Sequence, residues 1–382
     1  MRLAVLIADS EKTVRPVNQI EIAGFKSIRE AKLEMKSLNV FIGPNGAGKS
    51  NFIGVFKLLH RIIEQKLSVY VGEQGGANSL LHFGRKRTKK ITLKLQFADG
   101  SNSYGCVLAP NAEDSLFFQD EWCAFSGTFQ RTGYKANDYR VQLSLGGRET
   151  QLLEEAEKHK GGIAAHVRDD FQSWRLYHFH DTSSSAGVKR KGDLSDNRFL
   201  RDDASNLAAF LYRLQQTQKS SYDNIVGAVR LVAPFFENFV LAPDALNPEK
   251  ILLEWKERGG DEYFNASALS DGTLRFICLA TLLLQPNLPS AVLIDEPELG
   301  LHPAAITLLA ELLRSTSKRA QVIVSTQSVT LVNQLSPEEV VVVEHKDDTS
   351  TFERLDEARL QDWLGDYGLG ELWEKNLVGG RP

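Results

Sequence analysis

The stretch VFIGPNGAGKSNF, Val40–Phe52, sets the reading of the whole chain. Val40, Phe41 and Ile42 form a short apolar run with the look of a buried strand. Gly43 to Ser50 spell G-x-x-x-x-G-K-S, and a helical pattern follows from Asn51. Strand, glycine-rich loop and helix in that order make a phosphate-binding loop. Glycines let successive backbone N–H groups turn toward an anion, because a Cβ would block several of the required conformations. The helix N-terminus adds its positive dipole end. The residues placed around the phosphates are therefore Gly43, Pro44, Asn45, Gly46, Ala47, Gly48, Lys49, Ser50 and Asn51. Lys49 can reach the β- and γ-phosphates, and the Ser50 hydroxyl can serve as a ligand of Mg²⁺.

A second motif lies in the last third, AVLIDEPELGLHP, Ala291–Pro303. Four apolar residues make a central strand, and two carboxylates follow at its C-terminal edge, where ligands bind in open α/β sheets. Asp295 is expected to hold Mg²⁺, and Glu296 to face the γ-phosphate and polarise an attacking water. A third motif, ALSDGTLRF at Ala268–Phe276, places Ser270 and Gly272 at the start of a strongly apolar helix, another helix end suited to an anion.

Between these motifs the texture changes. Ile20, Ile22 and Phe25 alternate with polar residues, and Ala31–Met35 reads as the hairpin partner. Leu3–Ala8 is a short apolar run, a strand or an N-terminal extension. From Tyr70 to Leu145 short alternating runs predict an antiparallel β region, with Asp99-Gly100 as a tight hairpin turn. Two helices are expected from Glu149 to Trp174, a strand at Leu176–Phe179, and helices at Asn206–Gln216 and Tyr222–Ala233. Strands at Ala291–Ile294, Gln321–Val324 and Val340–Val343 alternate with helices at Thr273–Leu284 and Ala304–Ser315, which argues for a largely parallel sheet. Phe352–Leu355 could close its edge. The tail from Asp356 is amphipathic, with Trp363 and Trp373 read as core or dimer packing or as docking positions. No repeat or coiled-coil heptad run is evident.

Composition bounds the function classes. The chain has 382 residues, 42% hydrophobic and 25% charged, with a net charge of −4. That excludes a globally basic nucleic-acid binder but leaves room for local patches. Arg85-Lys86-Arg87 with Lys89-Lys90, and Lys189-Arg190-Lys191, read either as solvated loops or as contacts to a phosphate backbone, so DNA is a possible partner. Three cysteines, Cys106, Cys123 and Cys278, have no metal-like spacing and point to a reduced, cytoplasmic setting. The longest apolar run, Phe276–Leu284, is too short to span a membrane.

Taken together, these motifs resemble ABC-type ATPase heads, P-loop NTPases of the RecF/SMC/OLD-like branch. GPNGAGKS resembles Walker A and LSDGT the ABC signature. VLIDEPELGLHP resembles Walker B with the D-loop, VIVSTQS at Val322–Ser328 the switch strand, and GFKSI at Gly24–Ile28 the opening strand of RecF-like proteins. The resemblance covers about Asn18–Ser50 and Ser267–Val343. It is closest to compact bacterial ATPases, some of which accompany a nuclease-like partner in phage-defence loci.

The resemblance implies an α/β fold: a mostly parallel core sheet (15–66 and 234–355), an antiparallel β lobe (67–145), a helical insertion (146–233) and a C-terminal tail (356–382). It implies ATP and Mg²⁺ as ligands and a head-to-tail homodimer in the ATP state, with Ser270 and Gly272 acting on the partner copy's nucleotide. Lys49, Glu296 and the switch position then carry catalysis. Two departures stand out. Asp271-Gly272-Thr273 replaces the usual Gly-Gly-Gln, which brings a carboxylate toward phosphates unless it turns away. Gln327 stands where the switch histidine is expected. A Gln amide can donate a hydrogen bond but cannot take up a proton or a positive charge, so binding and dimerisation are expected to persist while turnover is slow. Phe25 and Lys26 read as an edge for the adenine or, for Phe25, as strand packing. The group that replaces the family's Q-loop glutamine is sought in Tyr177–Asp181, where His178 and His180 read as active-site groups, metal ligands or strand-end residues.

Three functions fit. One is an ATPase that regulates DNA processing or anti-phage defence through a nuclease partner. Another is an ATP-gated scaffold that holds an effector protein. The third, a transporter ATPase subunit, is disfavoured by EPELGLHP, GFKSI and the large middle region. No nuclease constellation is evident in this chain.

Overall fold

Short apolar runs from the two ends of the chain meet in one sheet. The computed structural model describes residues 16–97, 100–128 and 135–381. It opens with β1 (Val17–Phe25), β2 (Ile28–Glu34), β3 (Leu38–Ile42) and the helix α1 (Lys49–Ile63). Four long strands follow: β4 (Ile91–Phe97), β5 (Asn102–Pro110), β6 (Leu116–Thr128) and β7 (Lys135–Ser144). Helix α2 (Ile163–Gln172) leads into β8 (Trp174–Tyr177). The last third alternates α3 (Asp271–Leu284), β9 (Ala291–Asp295), α4 (Pro303–Ser317) and β10 (Gln321–Ser325), then ends its sheet with β11 (Val340–Lys346) and β12 (Thr349–Arg354).

Two six-stranded sheets result, one in the order β2-β1-β4-β5-β6-β7 and one in the order β12-β11-β3-β10-β9-β8. The first is antiparallel throughout. In the second, β11, β3, β10, β9 and β8 run parallel, and only β12 is antiparallel, at the edge. This is the mixed α/β architecture that the motif order predicts.

Alternation along each central strand divides the core into two layers. Phe41, Ile323, Ala291 and Leu293 face α1 and the antiparallel sheet. Val40, Ile42, Val322, Val324, Val292 and Ile294 face α3 and α4. A parallel sheet covered on both faces needs apolar residues at successive positions, which explains why these strands read as continuous runs. The apolar face of α1 predicted from its spacing, Phe52 to Ile63, is buried as expected.

Some expectations change. The segment that follows α1 is helical before it becomes strand, with short helices at Leu67–Glu73, Ala77–Leu80 and Gly84–Arg87, so the β lobe starts at Ile91 and not near Tyr70. The strand expected at Leu176–Phe179 falls at Trp174–Tyr177, and this β8 is an edge strand of the parallel sheet although it lies inside the stretch read as a helical insertion. Trp373 is fully buried, whereas Trp363 is 46% exposed. Leu3–Ala8 and the Asp99 of the expected hairpin turn lie outside the described residues. No described helix is long and apolar enough to cross a membrane.

Candidate functional site

Register brings the motifs to one edge. Val40 pairs with Val324, Asp295 with Ser325 and Tyr177 with Ile294. The segments that leave these strands, Gly43–Ser50, Glu296, Thr326-Gln327 and His178, therefore emerge side by side at the carboxyl end of the parallel sheet, the place where such folds bind ligands.

The glycine loop is built around close approaches. Gly43, Gly46 and Gly48 all have positive φ, of 148°, 80° and 116°. At Gly48 a Cβ would come within 2.1 Å of Ser350 Oγ. Ser350, on the edge strand β12, donates to the Ala47 carbonyl at 2.6 Å, and its hydroxyl lies 2.7 Å from that of Ser27. Ser27 in turn accepts from the Asn51 amide at 2.7 Å. A serine of the opening strand-turn and a serine near the end of the chain thus brace the loop from behind. Neither was evident from the motif alone.

Lys49 is buried, and its ammonium donates to the carbonyls of Gly43 (2.5 Å) and Pro44 (3.1 Å). No carboxylate among the described residues pairs with it directly. Burial lowers its pKa, opposed by the charges of Glu296, Asp295 and Glu298. A cation held inside a glycine cradle without a salt-bridge partner suits a phosphate group. The donor set for a metal also fits Mg²⁺, which binds through one or two protein oxygens plus phosphates and water. Ser50 lies at the loop's end, and Asp295 ends β9, where Ser325 Oγ donates to its Oδ1. Among the described residues no cluster of three His, Cys, Asp or Glu could hold a metal by itself.

The two carboxylates after Asp295 do different things. Glu296 adopts φ 43°, a left-handed conformation unusual for a non-glycine residue and costly enough that the surroundings must impose it. Its Oε1 accepts from Gln327 Nε2 at 2.5 Å, and the same amide donates to Asn45 Oδ1 at 2.7 Å. Gln327 therefore joins the phosphate loop to the acid. Glu298 is buried, 9% exposed, and its Oε1 accepts from Thr326 Oγ1 (2.5 Å) and from the main-chain N–H of Gln327 (3.0 Å). Burial raises the pKa of its carboxyl. Glu298 pins the loop that carries Gln327. The sequence signal was present, a second acid two residues after Glu296 followed downstream by Thr-Gln, but it was absorbed into the motif as a whole.

The signature stretch is organised away from the glycine loop. Ser270 caps α3, accepting from Thr273 N at 3.2 Å. Asp271 turns aside to Lys189, 3.6 Å away, which resolves the expected conflict with phosphates. Gly272 packs so closely on the D-loop that a Cβ would sit 2.3 Å from the Gly300 carbonyl. Arg275 donates to the carbonyls of Leu299 (2.8 Å) and His180 (2.9 Å), linking α3, the D-loop and the stretch after β8. Among the described residues no hydrogen bond or ion pair joins Ser270–Thr273 to Gly43–Ser50.

Other candidates are placed differently from the sequence reading. Phe25 is fully buried and packs beside Gly54, so it serves the core and not an adenine edge. The Lys26 ammonium is held by Gln74 Oε1 at 3.0 Å, and no described contact joins it to the loop; its neighbour Ser27 makes that link instead. Within the basic runs, Lys189 and Lys191 are paired with Asp271 and Asp244, and Arg85 with Asp114 at 3.8 Å. His178 and His180 follow β8 at the sheet edge, with ring centres 6.4 Å apart.

A profile of AAA ATPase domains matches residues 16–160. Another, described as "AAA domain, putative AbiEii toxin, Type IV TA system", matches residues 154–333. A protein of Methanosarcina acetivorans named "Putative ABC transporter ATP-binding protein" is 32% identical over 126 residues, 30% of this chain and 45% of that protein. The chain thus matches less than half the length of that relative. An Smc head bound to the C-winged helix domain of ScpA superposes with a TM-score of 0.58 at 16% identity, covering 91% of this chain and 99% of that one. An Smc head with an extended coiled coil, bound to the C-terminal domain of ScpA derived from Pyrococcus furiosus, gives 0.54 at 15% identity over 92% and 99%. The fold is that of an SMC-type ABC ATPase head. Together the two AAA profiles run from the glycine loop through the switch strand, over residues 16–333.

Proposed function

We propose that this chain binds ATP with Mg²⁺ in the Gly43–Ser50 loop, closes the site with Ser270 and Gly272 of a second copy, and hydrolyses ATP to ADP and phosphate. The observation that carries the reading is the Gln327 amide, which bridges Asn45 and Glu296 and so joins three motifs remote in sequence. Lys49 stabilises charge on the transferred phosphoryl group. Ser50 and Asp295 hold Mg²⁺, which when bound neutralises charge on the phosphates. Glu296 orients the attacking water, Ser270 caps the γ-phosphate across the dimer, and Glu298 holds the switch loop in place. The output is control of a partner, an effector or nuclease acting on DNA in the cytoplasm. The toxin–antitoxin description of the matching profile supports a defence setting.

A second reading, an ATP-gated clasp with little turnover, is favoured by the same contact. Gln327 occupies one oxygen of Glu296 and cannot relay a proton. ATP turnover of wild type and Gln327→His separates the two. If the amide is the brake, the imidazole raises turnover by roughly tenfold or more. Unchanged turnover in Gln327→His removes the brake from the account.

A further inference from the structure

Beside the nucleotide site, α1 and the edge strand β8 leave a cleft of about 800 Å³, with residues 199–202 as its third wall. That volume accommodates a ligand the size of one or two nucleotides. We infer that the cleft takes a segment of single-stranded nucleic acid, with its phosphates against Lys57 and Arg175 and a base on the ring of Phe199.

Four permanent cations line the cleft, Lys57 and Arg61 from α1 and Arg175 and Arg201 from the facing walls. Two of them are neutralised locally. Arg61 pairs with Glu64 at 3.0 Å, and Arg201 with Asp196 at 2.6 Å. The other two are not. Lys57 has no carboxylate partner among the described residues, and Arg175 Nη1 donates only to the main-chain carbonyls of Gln172 (2.6 Å) and Trp174 (2.7 Å). One uncompensated cation therefore lies on α1 and one on β8, and none on the third wall. Their neighbours feel it: after burial, Lys57 adds to the lowering of the Lys26 and His178 pKa values, as Arg175 does for His60. Of the two lining carboxylates, Glu64 is already shared by Arg61, His60 and Lys66, which leaves Asp202 as the single acid of the lining without an ion pair.

Phe199 is 59% exposed at this cleft. A bare aromatic ring beside unpaired cations is the combination that binds single strands without a base code, by stacking plus backbone electrostatics. A stacked duplex offers no free base face to such a ring.

The cleft also touches the nucleotide site. His178 lines it, directly follows β8, and donates its main-chain N–H to the Asp202 carbonyl at 2.8 Å. A strand seated on residues 199–202 bears on Tyr177–Asp181, next to Asp295. Strand binding therefore alters ATP turnover; this last step rests on the ATPase reading, whereas binding itself does not.

The test is fluorescence anisotropy with labelled single strands of DNA and RNA of about 12 nucleotides, within the usual site size of such grooves. The wild-type chain, Lys57→Glu, Arg175→Gln, Phe199→Ala and Arg85→Glu/Lys86→Glu are compared across a salt series. Lys57→Glu is expected to weaken binding by about tenfold and to lower the salt slope by about one. Phe199→Ala is expected to weaken it about fivefold or more, with binding of a fluorescent ATP analogue unchanged. Lys57 and Phe199 are both exposed, so their variants carry the test even if Arg175→Gln fails to fold. The inference is overturned if Lys57→Glu and Phe199→Ala bind as wild type, or if only the Arg85/Lys86 variant loses binding. It is equally overturned if duplex or free AMP binds the cleft as tightly as the single strand.

Discussion

Glu296→Gln is expected to lower ATP turnover by roughly 10²–10³-fold while leaving an ATP-bound dimer that persists through gel filtration. The substitution is close to isosteric, and its carboxamide oxygen can still accept from Gln327 Nε2, so the bridge to Asn45 survives. What is lost is the negative charge proposed to orient the attacking water. Lys49→Ala should behave in the opposite way. It removes the ammonium that the loop holds on the Gly43 and Pro44 carbonyls, so nucleotide binding falls and no ATP dimer forms. Gel filtration with Mg·ATP distinguishes them, and equal elution of wild type and both variants would count against a shared site.

Glu298→Ala is expected to reduce turnover about tenfold with a smaller effect on KM, because it acts on the switch loop and not on ATP itself. It leaves the Thr326 hydroxyl and the Gln327 N–H without their buried acceptor, at about 1–3 kcal/mol for each group left unpaired. Glu298→Gln keeps an acceptor oxygen and should recover most of the activity. Stability supplies an independent readout. Burial raises the folded pKa of this carboxyl above its ordinary value of 4.5. Its contribution to stability is therefore fully present below that value and is lost as pH rises through the raised one. The melting temperature of wild type relative to Glu298→Gln should fall over that interval. A purely passive Glu298 predicts normal kcat in the Ala variant once the protein is folded.

These two acids mark what the sequence made legible. The glycine loop, the parallel strands and the Asp295-Glu296 pair were readable because buried parallel strands are short apolar runs and phosphate loops need glycine at fixed spacing. The helices between Leu67 and Arg87 were not. Each is shorter than an isolated helix can sustain, and the first two are held by Leu67, Tyr70, Val71, Ala77 and Leu80 packed into the core of the antiparallel sheet. The braces of the loop were hidden for another reason. Ser27 and Ser350 lie far apart in sequence, and only the pairing of edge strand β12 with β11 brings them together behind Gly48. Of the two readings open for Phe25, the fully buried ring takes strand packing, and Lys26, at φ 47° in the turn after β1, donates to Gln74.

The central claim is that one nucleotide site is built from two copies. Ser270–Thr273 makes no described hydrogen bond or ion pair to its own Gly43–Ser50 loop, and Gly272 is committed to the D-loop of its own chain. The direct measurement is ATP turnover on mixing two inactive variants, Lys49→Ala and Ser270→Arg. A mixed dimer contains one site with both defects and one with neither. Turnover well above either variant alone is the predicted result. A mixture no more active than its parts, with mixed dimers verified by differential tagging, would contradict the shared site.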